Sequence, residues 1–268
     1  MLALVLAAVL GGLPAQAGDD ARAVLARVRG YVAWYDRQLV TVVAEERYTQ
    51  TVSPTERVLY SEFGWIALPP PGETIGVREV LSVDGHTVTN APRLQSLLRQ
   101  PDSSDISREM DAILAESATW NLGAAYRNVN FPTFALAYVR RTGERDTKWR
   151  ASGRGDHVDL EFEEQGHSVL VRTPDGLRSP ARGRFSVDPT SGRIRQYEVR
   201  IRVPERGSLH RTTYWMLVDF AHQARLDLWV PVRMLEHHQR EGEYTAASRG
   251  EATYTNFRRY ETGGRLIQ

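Results

Sequence analysis

The chain has 268 residues, 41% hydrophobic and 25% charged, with a formal net charge of +1. So small a net charge supplies no global basic field for nucleic acid or an anionic membrane. With no cysteine there are no disulfides, no thiol catalysis, no zinc–thiolate site and no acylated N-terminal cysteine, so stability must come from packing alone. Lys148 is the only lysine among 34 basic residues. The arginine fork suits phosphate recognition, but a GC-rich coding sequence explains the ratio without it.

Leu2 to Leu13 is apolar, and Ala15-Gln16-Ala17 is a small-x-small cleavage site. This pattern reads as a secretory signal peptide cut after Ala17, although the basic segment that normally precedes the apolar run is missing. The run is short of the roughly 20 residues that span a bilayer, and no transmembrane segment is expected in the mature chain. The expected organisation is a signal peptide over 1–17 and one exported domain over 18–268, in the periplasm or outside a bacterium.

Asp19 or Asp20 can cap a helix. Val24, Leu25, Val28, Tyr31, Val32 and Tyr35 recur at the spacing of one helix face, which predicts a helix over about 20–38. From Val40 to Val52 the β-branched residues and the alternation of Tyr48, Gln50 and Val52 favour a strand, although Ala44-Glu45-Glu46 would also suit a continuing helix. Strands follow over Arg57–Leu68 and Val77–Val83, the second closed by an Asp84-Gly85 turn. A helical insert is expected at about 92–123. It comprises a short helix near Pro92–Leu98 and a longer one whose stripe is Ile106, Met110, Ile113, Leu114, Ser117 and Asn121. From Lys148 onward only strands are expected.

The last four runs are the most regular. Tyr197, Val199, Ile201 and Val203 alternate with charged residues, and Tyr214, Met216, Val218 and Phe220 share a face. Leu228, Val230, Val232 and Met234 form the third set, interrupted by Pro231, which favours an edge, a bulge or a break in the ladder. In the final run Phe257 falls out of phase with Ala252 and Tyr254, which a bulge near Asn256 would reconcile. The short links suit antiparallel neighbours. The expected fold class is α+β: a curved antiparallel sheet, an open half-barrel, with helices packed on its concave face.

The run Asp188-Pro189-Thr190-Ser191-Gly192-Arg193-Ile194, leading into an alternating strand, resembles the bacterial outer-membrane lipoprotein carriers and their sigma-regulator relatives. So does Trp229-Val230-Pro231-Val232-Arg233-Met234. The resemblance implies a half-barrel lidded by helices whose cavity holds acyl chains. Val43-Ala44-Glu45-Glu46-Arg47-Tyr48 and Ser61-Glu62-Phe63-Gly64-Trp65 also look like an exported bacterial family without assigned function.

No catalytic or metal motif stands out. His237 and His238 would point to opposite faces of a strand, and there is no His-Glu-x-x-His. Glu45 and Glu46 are carboxylates of the kind used as general acids or bases, but adjacent glutamates are usually solvated. Glu236, His237 and His238 read as strand-end residues, Asp84 and His86 as turn residues, and Arg140-Arg141 as a solvated pair. The serines lack a Gly-x-Ser-x-Gly elbow. Trp215 and Trp229 are expected on the face opposite the apolar set. No catalytic residue, metal ligand or cofactor is therefore assigned. The expected ligand-binding surface is Tyr197, Val199, Ile201, Tyr214, Met216, Val218, Val230, Val232 and Met234, and its ligand an acyl chain, lipid or lipoprotein. An envelope protein-interaction scaffold is the alternative and a hydrolase the third reading.

Overall fold

The computed structural model describes residues 17–67, 74–88, 93–99, 106–123, 130–141, 146–153, 155–165, 168–204, 211–240, 248–260 and 266–267; the expected signal peptide lies almost wholly outside them. In chain order the elements are α1 (Ala17–Leu39), β1 (Val42–Val52), β2 (Thr55–Ala67), β3 (Thr74–Val83), β4 (His86–Thr87), α2 (Arg93–Arg99), α3 (Ile106–Thr119) and α4 (Leu136–Arg140). Then come β5 (Thr147–Ser152), β6 (Val158–Glu164), β7 (Val171–Arg172), β8 (Arg178–Ser179), β9 (Ala181–Val187) and β10 (Ile194–Pro204), followed by β11 (Arg211–Gln223), β12 (Leu228–Arg240), β13 (Ser248–Tyr260) and β14 (Leu266–Ile267).

Strands dominate. One antiparallel sheet runs in the order β4-β3-β2-β1-β13-β12-β11-β10-β9-β6-β5, with β14 beside β13. It is large, open and curved, not a closed barrel. The final four runs pair in sequence as antiparallel neighbours, β10 with β11, β11 with β12 and β12 with β13. The ambiguous stretch after α1 is strand. Thr41, at φ 73°, breaks the helix, and the β-branched residues behind it pair with β2 and β13.

Both irregularities of the C-terminal strands have the anticipated form. Asn256 sits at φ 51°, opposite the register shift between Val43 and Glu45, and the extra residue returns Phe257 to the buried side. A second shift between Asp219 and Phe220 places Phe220 opposite Pro231. The ladder between β12 and β13 begins only at Arg233, so the proline's missing N–H falls outside it.

The main core joins α1, α4 and the sheet face that carries Tyr197, Val199 and Ile201, here called the inner face. Val24, Leu25, Val28, Val32, Tyr35 and Leu39 of α1 belong to it. The longer insert helix packs differently from expectation. Met110 and Ile113 of α3 and Leu94, Leu97 and Leu98 of α2 form a separate cluster with Val43, Ile66, Val77 and Tyr260. Val43 pairs with Gly64 and Gly64 with Val77, so these residues share the outer face. Gly64 leaves room for Leu94, which would lie 3.2 Å from an added Cβ. Alternation along β1 to β3 supplies apolar residues on both faces, and the insert covers the outer one. Beyond the C-terminal end of α3 the chain reaches the inner face, where Gln50 Oε1 accepts the Leu122 N–H at 2.7 Å.

Candidate functional site

The inner face is apolar on β9, β10 and β11 and becomes polar beyond them. The row through Val199 and Met216 continues into Glu236, Gly250 and Gln50. Tyr214 is followed by His238, and Glu46 and Tyr48 occupy the same face of β1. All of these polar side chains are buried. Buried charge is expensive unless it is paired and hydrogen-bonded, and here it is. Glu236 accepts from the Tyr48 hydroxyl through Oε1 and from Tyr214 at 3.2 Å through Oε2. Glu46 accepts from Arg78 Nε, and from Arg78 Nη2 at 2.8 Å, a two-point fork. Arg78 also donates to the Asn130 carbonyl at 3.1 Å, and its guanidinium lies 4.6 Å from the Tyr48 ring centroid. Gly250 makes the close approach possible, since a Cβ there would lie 2.6 Å from Glu236 Cγ and 2.8 Å from the Tyr48 ring.

The electrostatics follow from this pairing. Burial alone would lower the Arg78 pKa, but the charge and hydrogen bonds of Glu46 outweigh it and hold the guanidinium charged above its ordinary value. Burial, then the charge of Glu236, pushes the Tyr214 hydroxyl well above its ordinary range. Burial and then Glu46 do the same to Tyr254. Both hydroxyls therefore stay neutral, and that of Tyr214 donates to Glu236. Glu236 is fully buried.

Arg78 connects the cluster to a cavity of about 380 Å3 lined by α3, β2 and β3. Phe63, Ile75, Leu114 and Phe131 supply apolar wall, while Arg78, Ser117, Asn121 and Asn130 supply polar groups. Gly76 keeps the floor open, because a Cβ there would meet the Phe63 ring at 2.7 Å. Ala115 and Ala118, small and exposed, form the rim on α3. The buried Asn121 Oδ1 has no hydrogen-bond partner among the described residues. A ligand seated here meets rings and aliphatic chains on one side and amide, hydroxyl and guanidinium groups on the other. Among the described residues no group of His, Asp and Glu side chains converges to hold a metal ion.

The nine residues expected to bind ligand lie elsewhere. Tyr197, Val199, Ile201, Tyr214, Met216, Val218, Val230 and Met234 are buried, Val232 is half-buried beside the Pro231 bulge, and none lines this cavity. They form core under α1 and α4. Several residues expected to be solvated are not. Glu46 and His238 are buried, Arg140 is paired with Asp36 at 2.6 Å and Arg141 with Glu164 at 2.6 Å. Glu45 is exposed and accepts from Asn256, as a solvated neighbour should. His237 lies opposite in phase to His238, 5.0 Å from the Trp215 ring. Trp229 does not accompany Trp215; the bulge puts it beside Arg193, whose guanidinium is 4.6 Å from its ring.

Arg78, Asn121 and Asn130 were not singled out from sequence as site residues, and Glu236, weighed there with His237 and His238 as a metal candidate, was read as a strand-end residue. A signal was present. Glu236 and His238 are in phase with Met234, and Glu46, Tyr48 and Gln50 are in phase with Ala44. A polar residue in phase with an apolar set is a buried-polar candidate. Comparison of the chain with known protein families, curated proteins and solved structures finds no match, so the site's meaning rests on its own geometry.

Proposed function

We propose that the chain is an exported binding module for an amphipathic ligand, an acyl chain or lipid with a polar end, held in the cavity between α3 and β2–β3. The observation that carries this reading is the cavity itself. Its volume of about 380 Å3 falls within the range of roughly 300–1,000 Å3 typical of small-molecule sites. Phe63 and Phe131 face the apolar body, and Arg78 with Asn121 and Asn130 orients the polar end. The large open curved sheet with α1 packed across its inner face supports this reading, since the lipoprotein-carrier resemblance implies a curved sheet lidded by helices. The nine inner-face residues hold that curvature by packing.

A fluorescent fatty acid tests the reading. Saturable binding is expected with a Kd of about 10 μM or tighter. Ala118→Trp, on the exposed rim, fills the cavity without disturbing the core and abolishes binding while the far-UV spectrum is unchanged. If the unmodified chain takes up no fatty acid, or Ala118→Trp binds as well, the cavity is not a lipid site, and an envelope protein-interaction role becomes the better reading.

A further inference from the structure

A second cleft, of about 480 Å3, opens between α1 and the ends of β9 to β12, and it shares no lining residue with the cavity under α3. One wall is aromatic. Tyr31 and Trp34 lie on α1 with ring centroids 5.6 Å apart, and Trp34 is 39% exposed, one of two large apolar side chains so exposed among the described residues. A ring that costs free energy to leave in water calls for an explanation when it lines a cleft. The facing wall is Trp229, with the Arg193 guanidinium 4.6 Å from its centroid.

The rim is polar. His222 Nε2 lies 3.0 Å from Asp227 Oδ1. Ser191 Oγ accepts the Arg193 backbone N–H at 3.3 Å. Arg193 Nη2 donates to Asp188 at 3.2 Å, but its buried Nε–H has no acceptor among the described residues. A buried donor left unmade is costly, so the cleft favours a ligand that brings an acceptor.

These features discriminate among ligand classes. A cationic ligand is disfavoured because Arg193 already occupies the face of Trp229. A purely aliphatic ligand would leave the Arg193 Nε–H unmade and strip water from Asp227 and His222 without replacing it. A neutral saccharide ring meets both demands. Its C–H face lies flat on an aromatic ring, and its hydroxyls both accept and donate. We infer that this cleft is a saccharide site, with a pyranose ring stacked on Trp34 and its hydroxyls directed to Arg193, His222 and Asp227. The inference does not depend on the lipid reading of the other cavity.

Calorimetric titration of the full chain with cellotriose, maltotriose and chitotriose tests it. At least one is expected to bind with a Kd of about 1 mM or tighter. Trp34→Ala weakens that binding about tenfold, the scale of one lost stacking contact. Trp34→Phe retains most of it, and Ala118→Trp leaves it unchanged. Because Trp34 is exposed, its replacement does not endanger the fold, which circular dichroism verifies. No heat of binding from any of the three sugars overturns the inference, as does a Kd that Trp34→Ala leaves unmoved.

Discussion

Glu46 and Arg78 form a buried ion pair on the inner face, and their energetics follow from how little water reaches them. Removing one partner strands the other charge, which typically costs about 3–5 kcal/mol, whereas replacing both by apolar groups is often near neutral. Glu46→Leu and Arg78→Met should each lower stability by about that amount. The double variant should lose clearly less than their sum, apart from the Asn130 hydrogen bond and the Tyr48 stack. Urea denaturation of the four proteins measures this. Losses that add within about 0.5 kcal/mol would mean the two groups are not coupled. The pair also shows what a sequence conveys at this scale. Alternation placed Glu46 in phase with Ala44 and Tyr48, but a lone glutamate in such a pattern reads as solvated. Its counter-charge lies 32 residues away and arrives only when β2 pairs with both neighbours.

Among the elements, the strands were the more legible. Their period of two is set by the pleat, and even the bulges at Asn256 and near Pro231 left a mark, as a phase break or a proline. Helix positions were legible as well, since α1 and α3 fall close to the expected spans. What each helix covers was not. A stripe says that something must be buried, without naming the surface, and α3 buries its stripe on the outer face. The turn before β10 makes the point at a single glycine. Asp188 accepts the N–H groups of Thr190 and Ser191, which hold its carboxyl below the usual range, and Gly192 closes the turn at φ 73°. The turn was readable; that α1 rides against it was not. A Cβ on Gly192 would lie 2.4 Å from the Arg27 carbonyl carbon, whereas one on Gly176, at φ 84°, would meet nothing within 4 Å. Gly176→Ala should therefore cost only the backbone strain of about 1–2 kcal/mol. Gly192→Ala adds the overpacking of α1, about 1–3 kcal/mol more. Thermal and urea unfolding compare the two, and equal losses would mean that α1 does not seat on this turn.

At the scale of the whole molecule the decisive contact is the pairing of β1 with β13. Val42 to Val52 lies against Ser248 to Arg259 and joins the N-terminal meander of β1–β4 to the C-terminal run through a single sheet. Alternation identifies faces, never neighbours, so this seam could not be read from the chain even where both strands were recognised. Its consequences are kinetic and thermodynamic. A contact that closes so long a loop forms late, because loop-closure entropy precedes any reward from pairing. Once formed, it couples both ends of the chain, since the main core draws on α1, β1, β2 and β3 as well as β10 to β13. Unfolding should therefore be one cooperative transition. Native-state hydrogen exchange gives the sharper measurement. Amides of β1 that face β13, such as those of Arg47 and Thr49, should open only with the same free energy as the central amides of β10 and β11. If β1 to β3 exchange at a distinctly lower free energy, the meander is a separate unit docked on the rest. The cavity under α3, which is built on β2 and β3, would then sit on the part of the sheet free to open for a ligand.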